Sequence, residues 1–387
     1  MELNKTSAKE LLSVIPDKLL VGLSKVTNVD YQVKKLYGRN VFYLLLFGLL
    51  ESTRVSLRSL EDIYNSKKFR FIFNMCHIKD AKYNSISDRL KVIDSEYFEQ
   101  IYKCIYTLFS EIYSEEEALK YKIVRVDSTM VADAANKLEE GMSVGSKTTK
   151  KQIKYTINLS DIFPSSAVVY NEQQHLSEDK TIPDAIFRSA DKSQNDIFVF
   201  DRGVQSREKF LELDNNQYRF VTRLRINARH RVIESNHIEK GLCVGNLEVI
   251  SDEKVLLSTG THKEVNRPFR LIKTINKNKK EFWFLTNQFD LSAEETIRAY
   301  RKRWDIEVFF RFLKQEMNVS HLISTNLNGI KVVLYMTLIA AILVLVYKRL
   351  NGVGYKTAKR RFTMEMDEII MIIVVKLCGG DPNVVFR

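Results

Sequence analysis

Three acidic residues are the part of this sequence best suited to chemistry. Asp127 follows the β-branched run 123–126, Asp201 follows the apolar run 196–200, and Glu307 lies in a helical stretch. In an α/β sheet, ligands collect at the ends of strands. Carboxylates that converge from two strands and a helix would hold two Mg²⁺ or Mn²⁺ ions, because hard cations prefer carboxylate oxygens. Two such ions would promote in-line phosphoryl displacement by a water or a 3′-hydroxyl.

Each acid also has a purely structural interpretation. A single Asp at the end of a strand commonly forms a turn. Glu307 shares a helical face with Tyr300, Arg303 and Lys314, because steps of 3, 4 and 7 residues return to one face. A salt bridge inside a buried helix would explain that row equally well. Asp305 points about 200° away from Glu307 and is not a candidate ligand.

The elements that would position these acids begin at Lys122, where the sequence changes from helical to strand-forming. Alternating or continuous apolar patterns predict strands at 123–126, 154–159, 167–170 and 196–200. Helices are predicted between Pro183 and Lys192 and over 204–214. Residues 218–287 contain several further strands, and one helix is predicted from Ser292 to about Leu350. Asp127 and Asp201 are both expected to end their strands.

The N-terminal third is predicted to be almost wholly helical. Its amphipathic runs lie at 8–26, 40–51, 57–75, 83–92 and 94–113. Two short helices, at 57–63 and 83–91, are joined by Lys- and Asn-rich turns and could form a helix-turn-helix-like DNA reader. A generic helical domain has the same spacing.

The charge of the chain indicates a polyanionic partner. The net charge is +12 and the pI is about 9.3, values most often associated with nucleic-acid binding. A generally basic proteome would give the same excess. Four cysteines without CxxC pairs or finger-spaced His residues exclude a zinc-finger pattern and favour a reduced, cytoplasmic protein. The polar N-terminus lacks the apolar region of a signal peptide.

One apolar segment invites a membrane interpretation. Residues 332–347 contain no charged side chain, but 16 residues are short for a bilayer span. We interpret the segment as a buried core helix. The alternative, a membrane protein, predicts fractionation with lipid.

The acidic motifs resemble those of DDE transposases of the insertion sequence 4 family. The first two motifs are Asp127-Ser-Thr and Asp201-Arg-Gly. The third is Tyr300-x2-Arg303-x3-Glu307-x6-Lys314, which matches the Y-R-E-K signature of that family at all four positions. The resemblance covers about residues 120 to 345, and its fixed residue types and offsets make it specific.

The resemblance implies an α/β fold with a ribonuclease-H-like catalytic core and a β-strand insertion, preceded by an all-helical N-terminal domain. Residues 1–120 would be the helical domain that binds DNA ends. The remaining divisions would be the core at 121–217 and 291–350, the β-rich insertion at 218–290 and a helical C-terminal segment at 351–387. Asp127, Asp201 and Glu307 would form the catalytic triad that binds two Mg²⁺ or Mn²⁺ ions.

The resemblance also implies a set of DNA contacts. Tyr300, Arg303 and Lys314 would contact phosphates of the transposon end, and Arg202 follows the second Asp as in the family. Further candidates are two residues of a recurrent basic strand and two aromatic residues placed to stack on a flipped base: Arg223, Arg225, Phe282 and Trp283. Sequence does not choose between the two aromatic residues, and either fits a core position as well.

The implied activity is cut-and-paste DNA transposition. The enzyme would cleave insertion-sequence ends through a hairpin step and join them to target DNA. Its partners would be double-stranded terminal inverted repeats and target DNA, with a homodimer in the synaptic complex. It would be cytoplasmic in a prokaryote and nucleoid-associated when bound to DNA. The alternatives are a catalytically silent DNA-binding relic and a structure-specific nuclease on the same fold.

Overall fold

The computed structural model describes residues 6–52, 54–113, 121–133, 137–145, 147–189, 195–259 and 263–385. The chain divides into two compact units. The first comprises Met1–Ser114, Val131–Gln152 and Phe310–Arg387, and the second comprises Glu115–Met130 and Ile153–Phe309. The first unit is mainly helical, and the second is built on a β-sheet. Residues 310–350 were predicted to belong to the catalytic core. In the structure they belong to the first unit, together with the N-terminal helices. The proposed functional domains therefore remain a prediction.

The secondary structure is listed here in chain order. The helices are α1 (Ala8–Ser13), α2 (Asp17–Val26), α3 (Gly38–Glu51), α4 (Leu57–Asn65), α5 (Lys67–Ile72), α6 (Tyr83–Val92), α7 (Ser95–Tyr113), α8 (Glu178–Phe187), α9 (Arg207–Asn215), α10 (Ala293–Arg301), α11 (Trp304–Glu316), α12 (Leu327–Asn351), α13 (Tyr355–Leu377) and α14 (Pro382–Val385). The strands are β1 (Lys122–Ala132), β2 (Met142–Val144), β3 (Lys147–Ser160), β4 (Phe163–Tyr170), β5 (Asp196–Val199), β6 (Arg219–Leu224), β7 (His230–Ser235), β8 (Cys243–Val244), β9 (Leu247–Leu257), β10 (Phe269–Asn276) and β11 (Glu281–Thr286).

Helices α3 and α12 form the centre of the helical unit. Residues 40–50 of α3 are all buried, as expected for a helix that is apolar on every side. Within the described residues, α12 is the one helix long and apolar enough to span a bilayer. Of its most apolar 18-residue segment, 89% is buried. It packs against α3, α7 and α13. The interpretation of 332–347 as a core helix therefore agrees with the structure.

The sheet combines a parallel centre with an antiparallel extension. Its strand order is β2-β3-β1-β5-β6-β11-β10-β9-β7, with β4 paired to β3 and β8 paired to β9. Strands β1, β5 and β6 are parallel, and β6 continues into β11, β10 and β9 through antiparallel pairs. This α/β arrangement agrees with the predicted fold class, and the predicted β insertion extends the same sheet.

Helices cover both faces of the parallel centre. On one face, α8 and α9 pack Ile186 and Phe210 against Phe198 and Phe220. On the other face, Ala299 of α10 belongs to a cluster with residues of β1, β5 and β6. Central parallel strands are covered in this way because both of their faces are apolar.

Two local predictions at the acidic motifs were wrong. Strand β1 does not end at Asp127 but continues to Ala132, and it pairs with β3 beyond the acid. The helix predicted from Ser292 to about Leu350 is three helices, and Lys302 and Arg303 lie between the first two. At that break the amides of Arg303, Asp305 and Ile306 bond three residues back. Neither Gly nor Pro marks the break, and the helical spacing of the apolar residues continues through it. The sequence therefore carries no sign of it.

Candidate active site

Asp127 lies in the middle of β1, between the strands β3 and β5. Side chains of a strand alternate between faces, so Asp127 shares the face of Ile123, which is the face that α10 covers. Its Oδ1 accepts a hydrogen bond from the Ser128 amide at 2.8 Å. Burial raises the pKa of Asp127 to about 7. The negative charge of Asp201 adds to this rise, whereas the Ser128 amide and Arg303 oppose it.

Asp201 lies in a tight turn two residues after β5. Its Oδ1 accepts the Gly203 amide at 2.7 Å, and its carbonyl accepts the Thr222 hydroxyl at 3.0 Å. A Cβ atom at Gly203 would lie 2.8 Å from Asp201 Oδ1 and 2.9 Å from Glu178 Cγ. Contacts this short leave no room for a side chain, so the turn that holds Asp201 requires glycine.

Glu307 lies in the first turn of α11 and is joined to Asp127 through Arg303. One terminal nitrogen of Arg303 is 2.5 Å from Glu307 Oε1, and the other is 3.9 Å from Asp127 Oδ2. The guanidinium therefore lies between two carboxylates. The charge of Asp201 raises the pKa of Asp127, so Asp201 is also nearby. All three predicted acids therefore lie in one region of the second unit.

The donor set at this region fits a hard divalent cation. All three candidates are carboxylates, and the negative charge of Asp201 contributes to the raised pKa of Asp127. Within the described residues, no group of three acidic, His or Cys side chains is close enough together to hold a metal ion. Arg303 instead supplies the positive charge that pairs with Asp127 and Glu307.

Tyr300 and Arg223 border the acids. The Tyr300 ring makes an edge contact with Phe284 at 5.3 Å, and the Arg303 guanidinium lies 5.8 Å from its centre. Burial raises the pKa of Tyr300, and the charges of Arg303 and Arg223 oppose this rise. The Nε atoms of Arg223 and Arg303 are buried and have no hydrogen-bond partner among the described residues.

The two candidate aromatic residues pack on different clusters. Phe282 joins the apolar cluster that includes Tyr300, and the Arg223 guanidinium lies 4.7 Å from its ring centre. Trp283 packs on the opposite cluster, near His230, and its Nε1 donates to Glu281 at 3.0 Å. Neighbouring residues of a strand face opposite sides. Phe282 is therefore the aromatic residue on the side of Tyr300.

The remaining predicted DNA contacts are on the surface. The exposed side chains are those of Arg202, Arg225 and Lys314. Lys314 lies two turns after Glu307 on the same face of α11.

Sequence reasoning missed several charged partners around the site. Arg125, inside β1, pairs with Asp305 at 3.0 Å, and Lys154, inside β3, pairs with Glu178 at 3.1 Å. Asp305 is therefore engaged away from the acids, as its helical position predicted. For Arg125 the available signal was a basic residue in the otherwise apolar run 123–126, because a buried cation requires a partner.

The raised pKa of Asp127 predicts how stability depends on pH. The folded pKa lies above the ordinary value of 3.8, so from pH 4 to pH 7 the folded state binds more protons than the unfolded state. The free energy of unfolding should therefore fall as pH rises through this window. In EDTA, the free energy of unfolding of Asp127→Asn, relative to that of the wild type, should rise by about 2 kcal/mol between pH 5 and pH 8. Urea denaturation measures this difference, and parallel pH profiles would contradict it.

Comparisons with known proteins show what this chain is similar to. Residues 119–343 match the family model described as a transposase DDE domain. A putative transposase for insertion sequence element IS4SA from Synechocystis sp. is 25% identical over 325 residues, covering 82% of this chain and 83% of the relative. A probable transposase for insertion sequence element IS5377 from Geobacillus stearothermophilus is 26% identical over 220 residues, covering 56% and 54%. The cryo-EM structure of a piggyBac transposase synaptic complex with hairpin DNA aligns with a TM-score of 0.49 at 11% identity, covering 97% of this chain and 82% of that one.

The family match contains all three acids and the intervening sheet. It spans more than half of the chain, and the predicted DDE transposase and its ribonuclease-H-like α/β core are thereby confirmed. The chain belongs to the family of transposases that carry a DDE domain.

Proposed function

We propose that this protein performs cut-and-paste transposition of an insertion sequence of the insertion sequence 4 type. The observation that carries the proposal is the position of Arg303 between Glu307 and Asp127, the acid whose pKa the charge of Asp201 raises. The two Asp motifs and the Y-R-E-K motif are far apart in sequence. Their three acids, Asp127, Asp201 and Glu307, lie in one unit, as a site for phosphoryl transfer on DNA requires.

Asp127, Asp201 and Glu307 would hold two Mg²⁺ or Mn²⁺ ions. When bound, such ions supply activation of the attacking oxygen and stabilisation of the leaving oxygen. The carboxylates orient the site from β1, from the turn after β5 and from α11. If Glu307 binds a cation through Oε1, its contact with Arg303 would open and free the guanidinium for a DNA phosphate.

The DNA would be held by basic and aromatic side chains around the acids. Phosphate contacts position a duplex, and base contacts select its sequence. The proposed phosphate contacts are Tyr300, Arg303, Lys314, Arg202, Arg223 and Arg225. Phe282, rather than Trp283, is proposed to stack on a flipped base, since it lies on the side of Tyr300.

The proposed partners follow from the reaction. Two terminal inverted repeats must be brought together, so we propose a homodimer in the synaptic complex, acting on double-stranded DNA in the prokaryotic cytoplasm. The excess of 60 basic over 48 acidic residues supports a DNA partner.

A cleavage and joining assay tests the proposal. The purified protein should nick a duplex that carries the terminal repeat of its own element, form a hairpin, and join the end to a target plasmid in Mg²⁺. A duplex with the repeat scrambled, and a reaction with EDTA, are the matched controls. Binding without cleavage would identify a DNA-binding relic. Cleavage of both duplexes without joining would identify a nuclease.

A further inference from the structure

Glu178 is a fourth carboxylate near the site, and the three transposase motifs do not include it. It is the first residue of α8. Its Oε2 accepts the Ser128 hydroxyl at 3.0 Å and the Thr181 hydroxyl at 3.3 Å, and its Oε1 pairs with Lys154 Nζ at 3.1 Å. The side chain is thus held by three partners, of which Ser128 is the immediate neighbour of Asp127.

Lys154 makes this arrangement costly to change. Its side chain is 1% exposed, and its ammonium also donates to the Leu176 carbonyl at 2.8 Å. A buried ammonium is stable only when an anion and hydrogen bonds compensate for lost water. Glu178 is the acidic partner that the structure gives it, so β3 fixes the carboxylate in place.

The start of α8 is also joined to the turn that carries Asp201. Asp179 Oδ1 accepts the amides of Gln205 and Ser206 at 2.6 and 2.7 Å. In the same turn, the missing side chain of Gly203 leaves the space that Glu178 Cγ occupies. The first two residues of α8 therefore contact both β1, next to Asp127, and the turn of Asp201.

The direction of approach separates Glu178 from the three ligand candidates. Ser128 follows Asp127 on a strand, so its side chain points to the opposite face of the sheet. Glu178 meets that side chain on the face that α8 covers. It is suited to hold the two Asp residues in position and to add negative charge, and not to replace either as a ligand.

We propose that Glu178 is a positioning residue of the DNA-cleavage site. Through Ser128 and the Gly203 turn it sets the separation of Asp127 and Asp201, and its charge strengthens the binding of divalent cations there. The inference rests on the proposed metal-dependent function.

Binding of Mn²⁺ to the full-length protein, measured by electron paramagnetic resonance without DNA, tests the role directly. Glu178→Gln keeps the shape of the side chain and removes its charge. We expect its affinity for Mn²⁺ to fall about fivefold, because one nearby negative charge is lost. The Mg²⁺ concentration for half-maximal cleavage should rise by a similar factor. Glu172→Gln, an exposed substitution six residues earlier, is the matched control and should match the wild type.

A second variant keeps the test decisive if Glu178→Gln fails to fold. Ser128→Ala leaves the pair of Glu178 and Lys154 intact and removes the two hydrogen bonds of the Ser128 hydroxyl, to Glu178 and to Thr156. It should fold, with a thermal midpoint only a few degrees below that of the wild type, and raise the Mg²⁺ requirement about threefold, a smaller effect than charge removal.

The outcomes distinguish this role from the proposed function. If the wild type binds Mn²⁺ and cleaves DNA while Glu178→Gln and Ser128→Ala equal the Glu172→Gln control, the role of Glu178 is overturned alone. If the wild type itself neither binds Mn²⁺ nor cleaves, the proposed function and the role of Glu178 are both overturned.

Discussion

Cleavage of element ends is expected to fall at least about a thousandfold in Asp127→Asn, Asp201→Asn or Glu307→Gln. Each substitution keeps the shape of the side chain and removes a carboxylate from the region that contains the three acids. The loss should appear in single-turnover cleavage of a labelled duplex. DNA binding, measured at one fixed salt concentration, should change much less, because basic side chains supply most of that affinity.

Asp305→Asn is the matched control for this series. Asp305 is two residues from Glu307, and its partner Arg125 also donates to the carbonyls of Ile123 and Asp161. The buried guanidinium thus keeps acceptors when the acid becomes an amide. This variant should cleave within a few-fold of the wild type. A wild-type rate in any one of the three test variants would remove that residue from the triad.

The second large effect is expected far from the acids, in the antiparallel part of the sheet. Asp252 of β9 and Arg270 of β10 form a two-pronged pair at 2.8 and 2.5 Å, and their side chains are 6% and 7% exposed. Asp252→Ala should lower the free energy of unfolding of this unit by about 3–5 kcal/mol, because it leaves a buried guanidinium without its anion. Both tryptophans, Trp283 and Trp304, lie in this unit, so their fluorescence during urea denaturation reports the loss.

A double substitution separates the pair from its surroundings. Asp252→Ala combined with Arg270→Leu removes both charges and should recover much of the lost stability. Asp252 also accepts the Asn236 amide at 3.0 Å, so a part of the loss should remain. A single substitution that costs less than about 1 kcal/mol would show that water reaches the guanidinium and replaces the carboxylate.

The acids could be predicted from sequence because their chemistry ties residue type to spacing. Glu307 keeps a fixed offset from Tyr300, Arg303 and Lys314, and such an offset is visible without a structure. The contact of Arg303 with Asp127 was not visible. It depends on the break between α10 and α11, which rests on hydrogen bonds three residues apart and not on Gly or Pro.

Long-range pairing explains most of what the sequence did not reveal. The extension of β1 beyond Asp127 depends on its pairing with β3, since residues 128–129 are polar and resemble a strand end. The partner of Lys154 lies 24 residues away, on a different element. Local periodicity detects which residues are buried, but it does not detect which buried charges meet.

Arg303 also ties two kinds of binding together. Its guanidinium pairs with the Glu307 carboxylate. An anion that binds Arg303 would leave Glu307 open to a cation, and a cation that binds Glu307 would leave Arg303 open to an anion. By thermodynamic linkage, each of these two ligands would raise the affinity of the site for the other by the same factor. An arginine held between Asp127 and Glu307 would thus make the binding of the proposed metal ions and of nucleic acid positively cooperative.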